Sequence, residues 1–119
     1  MVVLVDAENV RRSLWPNLSE RRLVELLARW AEREAVAVVA VFDDEPAVDA
    51  RAGVEVVAAG DESADDWIAR RGAELAAAGE PYRLVTSDRE LRHRAGAAAA
   101  AIAGGGAFAR ELLTETDPP

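Results

Sequence analysis

The chain has 119 residues, half of them hydrophobic, which suits one domain with one core and leaves little room for a second. It has no cysteine and a single histidine, His93, so disulfides, thiolate sites and histidine-built zinc sites are excluded. Any bound metal is then held by oxygen, which points to Mg2+ or Mn2+, and a net charge of −8 argues against broad, nonspecific coating of DNA.

The opening apolar run, residues 1–6, reads as a buried parallel strand that ends at Asp6. It is too short for a signal peptide or a membrane span, so a cytoplasmic protein without a membrane partner is expected. A polar loop containing Trp15-Pro16 is expected next. Ser19 then serves as the N-cap of a helix, with Leu18 placed to staple against Leu23 and with Leu23, Leu26, Leu27 and Trp30 on one face. Residues 36–42 read as a second buried strand ending in Asp43 and Asp44, residues 45–53 as a loop, and 54–57 as a third strand.

Ser63 caps a further helix that runs to about Ala78 and stops at Gly79. Residues 82–85 form a fourth strand, and Thr86-Ser87-Asp88 turns into a short helix in which Ser87 and Glu90 have capping-box spacing. The alanine-rich run 97–102 is a weak fifth strand, 104–106 a turn, and 107–113 a last helix. One domain over 1–113 is expected, with a frayed tail over 114–119. Alternating strands and helices imply an open α/β fold, three layers deep, around a mostly parallel sheet of four or five strands.

In such sheets ligands bind beyond the carboxyl ends of the strands. Asp6, Asp43 and Asp88 follow three of those ends, and a flavodoxin-like order would bring them to one edge. Converging carboxylates repel unless a cation neutralises them. The pair Asp65-Asp66 lies in the first turn of a helix. Asp66 fits the N3 position of a box with Ser63, whereas Asp65 precedes Ile68 and Gly72 on the sheet-facing side. Each acid alone has a plainer account, as a turn residue or a helix cap. The joint placement of Asp6, Asp65 and Asp88 is harder to dismiss.

These segments carry a resemblance. Val-Leu-Val-Asp-Ala-Glu-Asn-Val, with Asp6 and Asn9, resembles the opening Asp-x-x-Asn motif of NYN domains in the PIN-like nuclease superfamily. Val-Val-Ala-Val-Phe-Asp resembles the second strand of that family, Ala-Asp-Asp-Trp-Ile its helical Ala-Asp-x-x-Ile segment, and Val-Thr-Ser-Asp-Arg-Glu-Leu its fourth-strand motif. The nearest subgroup is the YacP-like ribonucleases. The resemblance implies a PIN-like fold and metal-dependent endonucleolytic cleavage of RNA, with mRNA or ribosome-associated RNA as candidate substrates. By the same resemblance Asp6, Asp65 and Asp88 hold the metal, Asp43 supports them, and Asn9 either orients Asp6 or a metal-bound water or closes an Asx-type turn or cap after the strand. Ser87 either bonds a water or phosphate or caps its helix.

Arg11, Arg12, Arg89, Arg92 and Arg94 flank this site and are the candidate phosphate contacts, since the guanidinium fork suits phosphate oxygens, although each taken singly reads first as a surface ion-pair partner. Where the family carries a lysine- and arginine-rich stretch after the second strand, this chain has the short acidic segment 44–53, with Arg51 alone basic. A haloacid-dehalogenase-type phosphatase needs an aspartate two residues after Asp6, where Glu8 stands, and a lysine, of which there is none. A phospho-accepting receiver domain also needs a lysine that this chain does not have. The remaining rival is an NYN-like scaffold that binds RNA or protein without cleaving.

Overall fold

The computed structural model describes residues 1–116. It contains the strands β1 (Val2–Asp6), β2 (Ala37–Phe42), β3 (Val54–Ala58), β4 (Tyr82–Val85) and β5 (Ala101–Ala103). Between and after them come α1 (Ala7–Arg12), α2 (Glu20–Glu34), α3 (Ala64–Ala77), α4 (Arg89–Gly96) and α5 (Gly105–Thr116). The strands form one sheet in the order β3-β2-β1-β4-β5, and every pairing in it is parallel. The first strand is therefore central with the second and fourth beside it, as expected.

Alternation along the strands splits the core in two. Val3, Val5, Val38, Ala40, Phe42 and Val85 face a cluster with Val10 of α1, Leu23, Leu27 and Trp30 of α2, and Phe108 and Leu112 of α5. Leu4, Val41, Tyr82 and Leu84 face the opposite way, onto Ile68 and Leu75 of α3 and Leu91 of α4. Central strands covered on both faces have no solvent side, which is why they read as unbroken apolar runs. The helix N-termini at Ser19 and Ser63 follow the sequence signal, because their hydroxyls accept from the N–H groups of Arg22 and Asp66, each at 3.0 Å.

Four local expectations are corrected. The segment after β1 is not a loop at its start: Ala7 and Val10, three apart, are buried, and Glu8 pairs with Arg11 and Arg12 along the same turn of α1. The short helix α4 is capped by Asp88, not by a Ser87–Glu90 box, since the Asp88 carboxylate accepts from the N–H of Leu91 at 2.8 Å. The alanine run contributes only Ala101–Ala103 to the sheet, in keeping with the poor β-propensity of alanine. The last helix starts inside the expected Gly104–Gly106 turn and continues to Thr116, so residues 114–116 are helical, and 117–119 lie outside the described residues. Among the described residues no helix is long and apolar enough to cross a membrane.

Candidate active site

Asp6 closes the central strand and begins α1, so its carboxyl group is carried into the protein and is only 6% exposed. Its neighbour across the β1–β4 edge is Thr86, also buried, whose hydroxyl donates to Asp6 Oδ2 at 2.8 Å. Thr86 Oγ1 in turn accepts from the backbone N–H of Asp88 at 3.1 Å. The turn carrying Asp88 is thereby tied to Asp6 through one hydroxyl.

Burial pushes the Asp6 carboxyl up from 3.8 to about 6, with repulsion from Asp65 and Asp43 adding to the rise. The Thr86 hydroxyl and the nearby N–H of Asn9 act in the opposite direction. Asp65 is raised too, by burial first and then by Asp88 and Asp43, while Arg94 offsets part of it. Four acids from three strand ends and one helix thus feel one another at the same edge of the sheet. Their other contacts differ. Asp43 Oδ1 accepts from the N–H of Ala64 at 2.8 Å, capping α3 from the neighbouring strand, and Asp88 Oδ1 caps α4.

Asp66 also repels Asp65, more weakly than Asp88 and Asp43 do, but its own carboxylate is engaged elsewhere. Its backbone N–H meets Ser63 as expected, but its carboxylate pairs with Arg94 at 2.9 Å instead of completing a capping box. This pairing takes Arg94 out of the set of free phosphate contacts. Arg11 is likewise occupied, by Glu8 at 2.7 Å and by the Leu18 carbonyl at 2.9 Å. Arg51 pairs with Glu25 at 3.4 Å. Arg12 touches Glu8 at 3.2 Å but keeps 70% of its side chain exposed. Arg89 and Arg92 are exposed and form no ion pair among the described residues.

Asp6 opens onto a groove of about 510 Å³, which is also lined by Glu8, Asn9, Arg12, Ser13, Ser87 and Gly106. Asn9 Oδ1 accepts from the N–H of Ser87 at 2.9 Å, and Ser87 Oγ accepts from the N–H of Gly105 at 2.7 Å. Asn9 and Ser87 therefore hold α1, the β4 turn and the start of α5 together. A Cβ at position 105 would lie 2.2 Å from Asn9 Oδ1, so only glycine lets α5 approach this closely. Thr86 and Gly105 were not singled out from the sequence. Their signals are a hydroxyl directly after the strand beside β1, and a Gly-Gly-Gly step before a helix.

The donor set is all carboxylate, amide and hydroxyl oxygen. Among the described residues no three acidic or histidine side chains form a ready-made metal cage. That arrangement fits a hard cation that keeps much of its water, because Mg2+ commonly takes only one or two carboxylates directly. A buried carboxyl with a raised pKa and acidic neighbours supplies the unbalanced charge that such a cation would neutralise.

A family model for the YacP-like NYN domain matches residues 4–118 of the chain. The crystal structure of Rae1 (YacP) from Bacillus subtilis superposes with a TM-score of 0.74 at 23% identity, covering 96% of this chain and 74% of that one. A single-residue mutant of the same Bacillus subtilis protein superposes with a TM-score of 0.69 at 26% identity, covering 96% and 73%. No curated protein sequence matches the chain.

Two outcomes follow from this geometry. With a folded-state pKa of about 6 against 3.8, Asp6 binds more protons in the folded chain than in the unfolded one across that interval. Stability without metal therefore falls as pH rises through it, by about 3 kcal/mol at 1.36 kcal/mol per unit. Asp6→Asn can still accept from Thr86 but carries no charge. Denaturant melts in chelator should show the variant more stable than wild type above pH 7 and losing that advantage near pH 4; parallel curves would contradict the assignment. Separately, Gly105→Ala should destabilise by about 1–3 kcal/mol through overpacking. The loss should largely disappear in an Asn9→Ala background, because the clashing amide is gone; equal losses in both backgrounds would refute the contact.

Proposed function

The chain belongs to the family of YacP-like NYN domains, and on that premise we propose that it is a cytoplasmic, divalent-metal-dependent endoribonuclease. The observation that carries this reading is Asp6, a carboxyl buried at the end of the central strand and repelled by Asp65 and Asp43. Structural carboxylates are normally solvated or paired, whereas this one is costly to ionise without a cation. Perturbed acids that face a groove are a mark of functional sites.

In this proposal Asp6, Asp65 and Asp88 hold Mg2+ or Mn2+, and Asp43 adds negative charge from the end of β2, where it caps α3. The cation, when bound, polarises the phosphodiester and supplies an acidified water as nucleophile. Thr86 keeps Asp6 Oδ2 in place, leaving Oδ1 for the site. Asp88 has one oxygen committed to its helix and one uncommitted. Asn9 Oδ1 is engaged by Ser87, so its amide nitrogen is the atom left to orient Asp6 or a water. Ser87 has its hydroxyl oxygen on Gly105, which makes it first a brace for the turn. Arg12 at the groove, with Arg89 and Arg92 on the exposed side of α4, supplies the guanidinium groups for RNA phosphates.

The test is incubation of the purified chain with an end-labelled, mixed-sequence RNA in Mg2+, Mn2+ or chelator. Internal cleavage is expected with metal and none with chelator. Asp65→Asn should lower the rate by at least about 10–100-fold, as losses in a metal site do. Asp66→Ala should leave the rate near wild type, since its partner is an exposed ion pair contributing about 0–1 kcal/mol. Absence of cleavage under every condition would favour the non-catalytic scaffold. Loss of activity in the Asp66 variant with Asp65→Asn intact would reverse the assignment of the two acids.

A further inference from the structure

Trp15 is 89% exposed, while Trp30 is packed in the core against Phe108. An indole in solvent forgoes a large apolar burial, since aromatic side chains of this kind bury roughly 150–250 Å² when covered. The loop that carries it is nonetheless tied down. Its two ends exchange hydrogen bonds, the N–H of Leu18 to the Arg11 carbonyl at 3.0 Å and Arg11 Nε to the Leu18 carbonyl at 2.9 Å. Ser13 Oγ adds a bond to the Val10 carbonyl at 2.7 Å. A loop fastened at its base presents Trp15 outward with little entropy left to lose on binding.

The position is informative as well. Arg12 and Ser13, just before Trp15, form part of the wall of the Asp6 groove. Arg12 keeps most of its guanidinium in solvent. The only other large exposed hydrophobics among the described residues are Met1 and Ile102. Met1 precedes β1 at the edge of the sheet opposite Asp6, and Ile102 reaches toward Gly96 on the α4 face. Around Trp15, Leu14 and Leu18 are partly buried against the core and Pro16 is exposed, so the apolar surface there is centred on one ring and is small beside the roughly 800 Å² per partner that a stable protein interface buries. One flat ring three residues along the chain from Arg12, a wall residue of the polar groove, is instead the minimal platform for a single unpaired base.

We propose that Trp15 is a stacking platform for one nucleobase of single-stranded RNA, next to the phosphate that lies in the Asp6 groove. The substrate class rests on the nuclease reading given above. Stacking on Trp15 positions the strand, and Arg12 follows its backbone into the groove. Contact with a π-face does not depend on base identity, so this subsite contributes affinity with little sequence preference.

The test compares wild type, Trp15→Ala and Trp15→Phe. Binding of a fluorescein-labelled single-stranded RNA of roughly 12 nucleotides is followed by anisotropy in chelator. Trp15→Ala should weaken binding by about tenfold to a hundredfold, and Trp15→Phe should restore most of it. With Mn2+ the alanine variant should show KM raised to a similar degree and kcat unchanged, and all three proteins should melt together because the side chain is exposed. Equal RNA binding by wild type and Trp15→Ala overturns the platform, and so does wild type that binds no RNA. Cleavage that is indifferent to Trp15 leaves the nuclease reading standing and removes the platform. Trp15-dependent binding without cleavage does the reverse.

Discussion

The carboxyl group of Asp6 is buried at the end of the central parallel strand, and the organisation of the site follows from how it is accommodated there. The sheet order puts β2 and β4 on either side of β1, so both flanking strand ends contribute groups to its surroundings. Thr86 from the β4 side gives Asp6 one hydrogen bond. From the other side come acids, Asp43 directly after β2 and Asp65 at the start of α3. One hydroxyl does not compensate for burial and two like charges, so the carboxyl is raised to about 6. The fold holds in place an electrostatic imbalance that a divalent cation would remove.

The acids around Asp6 serve two ends at once. Asp43 and Asp88 each use one oxygen to cap a helix, α3 and α4 respectively. Capping locks the backbone near the site and spreads some of the negative charge onto helix N-termini, where it is favourable. It also withholds those oxygens from a tight metal cage, in keeping with a cation that retains water and tolerates few direct ligands. Beside Asp6, in the same groove, the Asn9–Ser87–Gly105 contacts join three segments distant in sequence. The groove is thus braced where α1, the β4 turn and the start of α5 meet.

Much of this was legible from local pattern. Buried strands in a doubly wound sheet read as apolar runs, and β1 and β2 announced themselves that way, while β3 and β4 were shorter signals interrupted by Glu55 and Arg83. The N-caps at Ser19 and Ser63 rest on contacts three residues apart, which sequence spacing encodes directly. The acids at strand ends were visible because the topology rule says where to look. What escaped depends on contacts far apart along the chain. Nothing next to Asp66 indicates that Arg94 will take its carboxylate, and nothing near Gly105 indicates that Asn9 will stand against it. The helix α1 was missed for a different reason. Its buried pair Ala7 and Val10 is brief, and the Trp15-Pro16 step nearby dominates the local signal for a loop.

Asp6 offers an incoming cation a carboxyl that still holds its proton at mildly acidic pH. Metal binding to a carboxyl with a pKa of about 6 releases protons when the pH is near or below that value, and none well above it. Titration calorimetry with Mn2+ in two buffers of different ionisation enthalpy measures that release. The account predicts release of about one proton per metal at pH 5.5 and almost none at pH 8, with the pH 5.5 release lost in Asp6→Asn. Binding of Mn2+ with the same proton count at both pH values, or the same count in the variant, would contradict it.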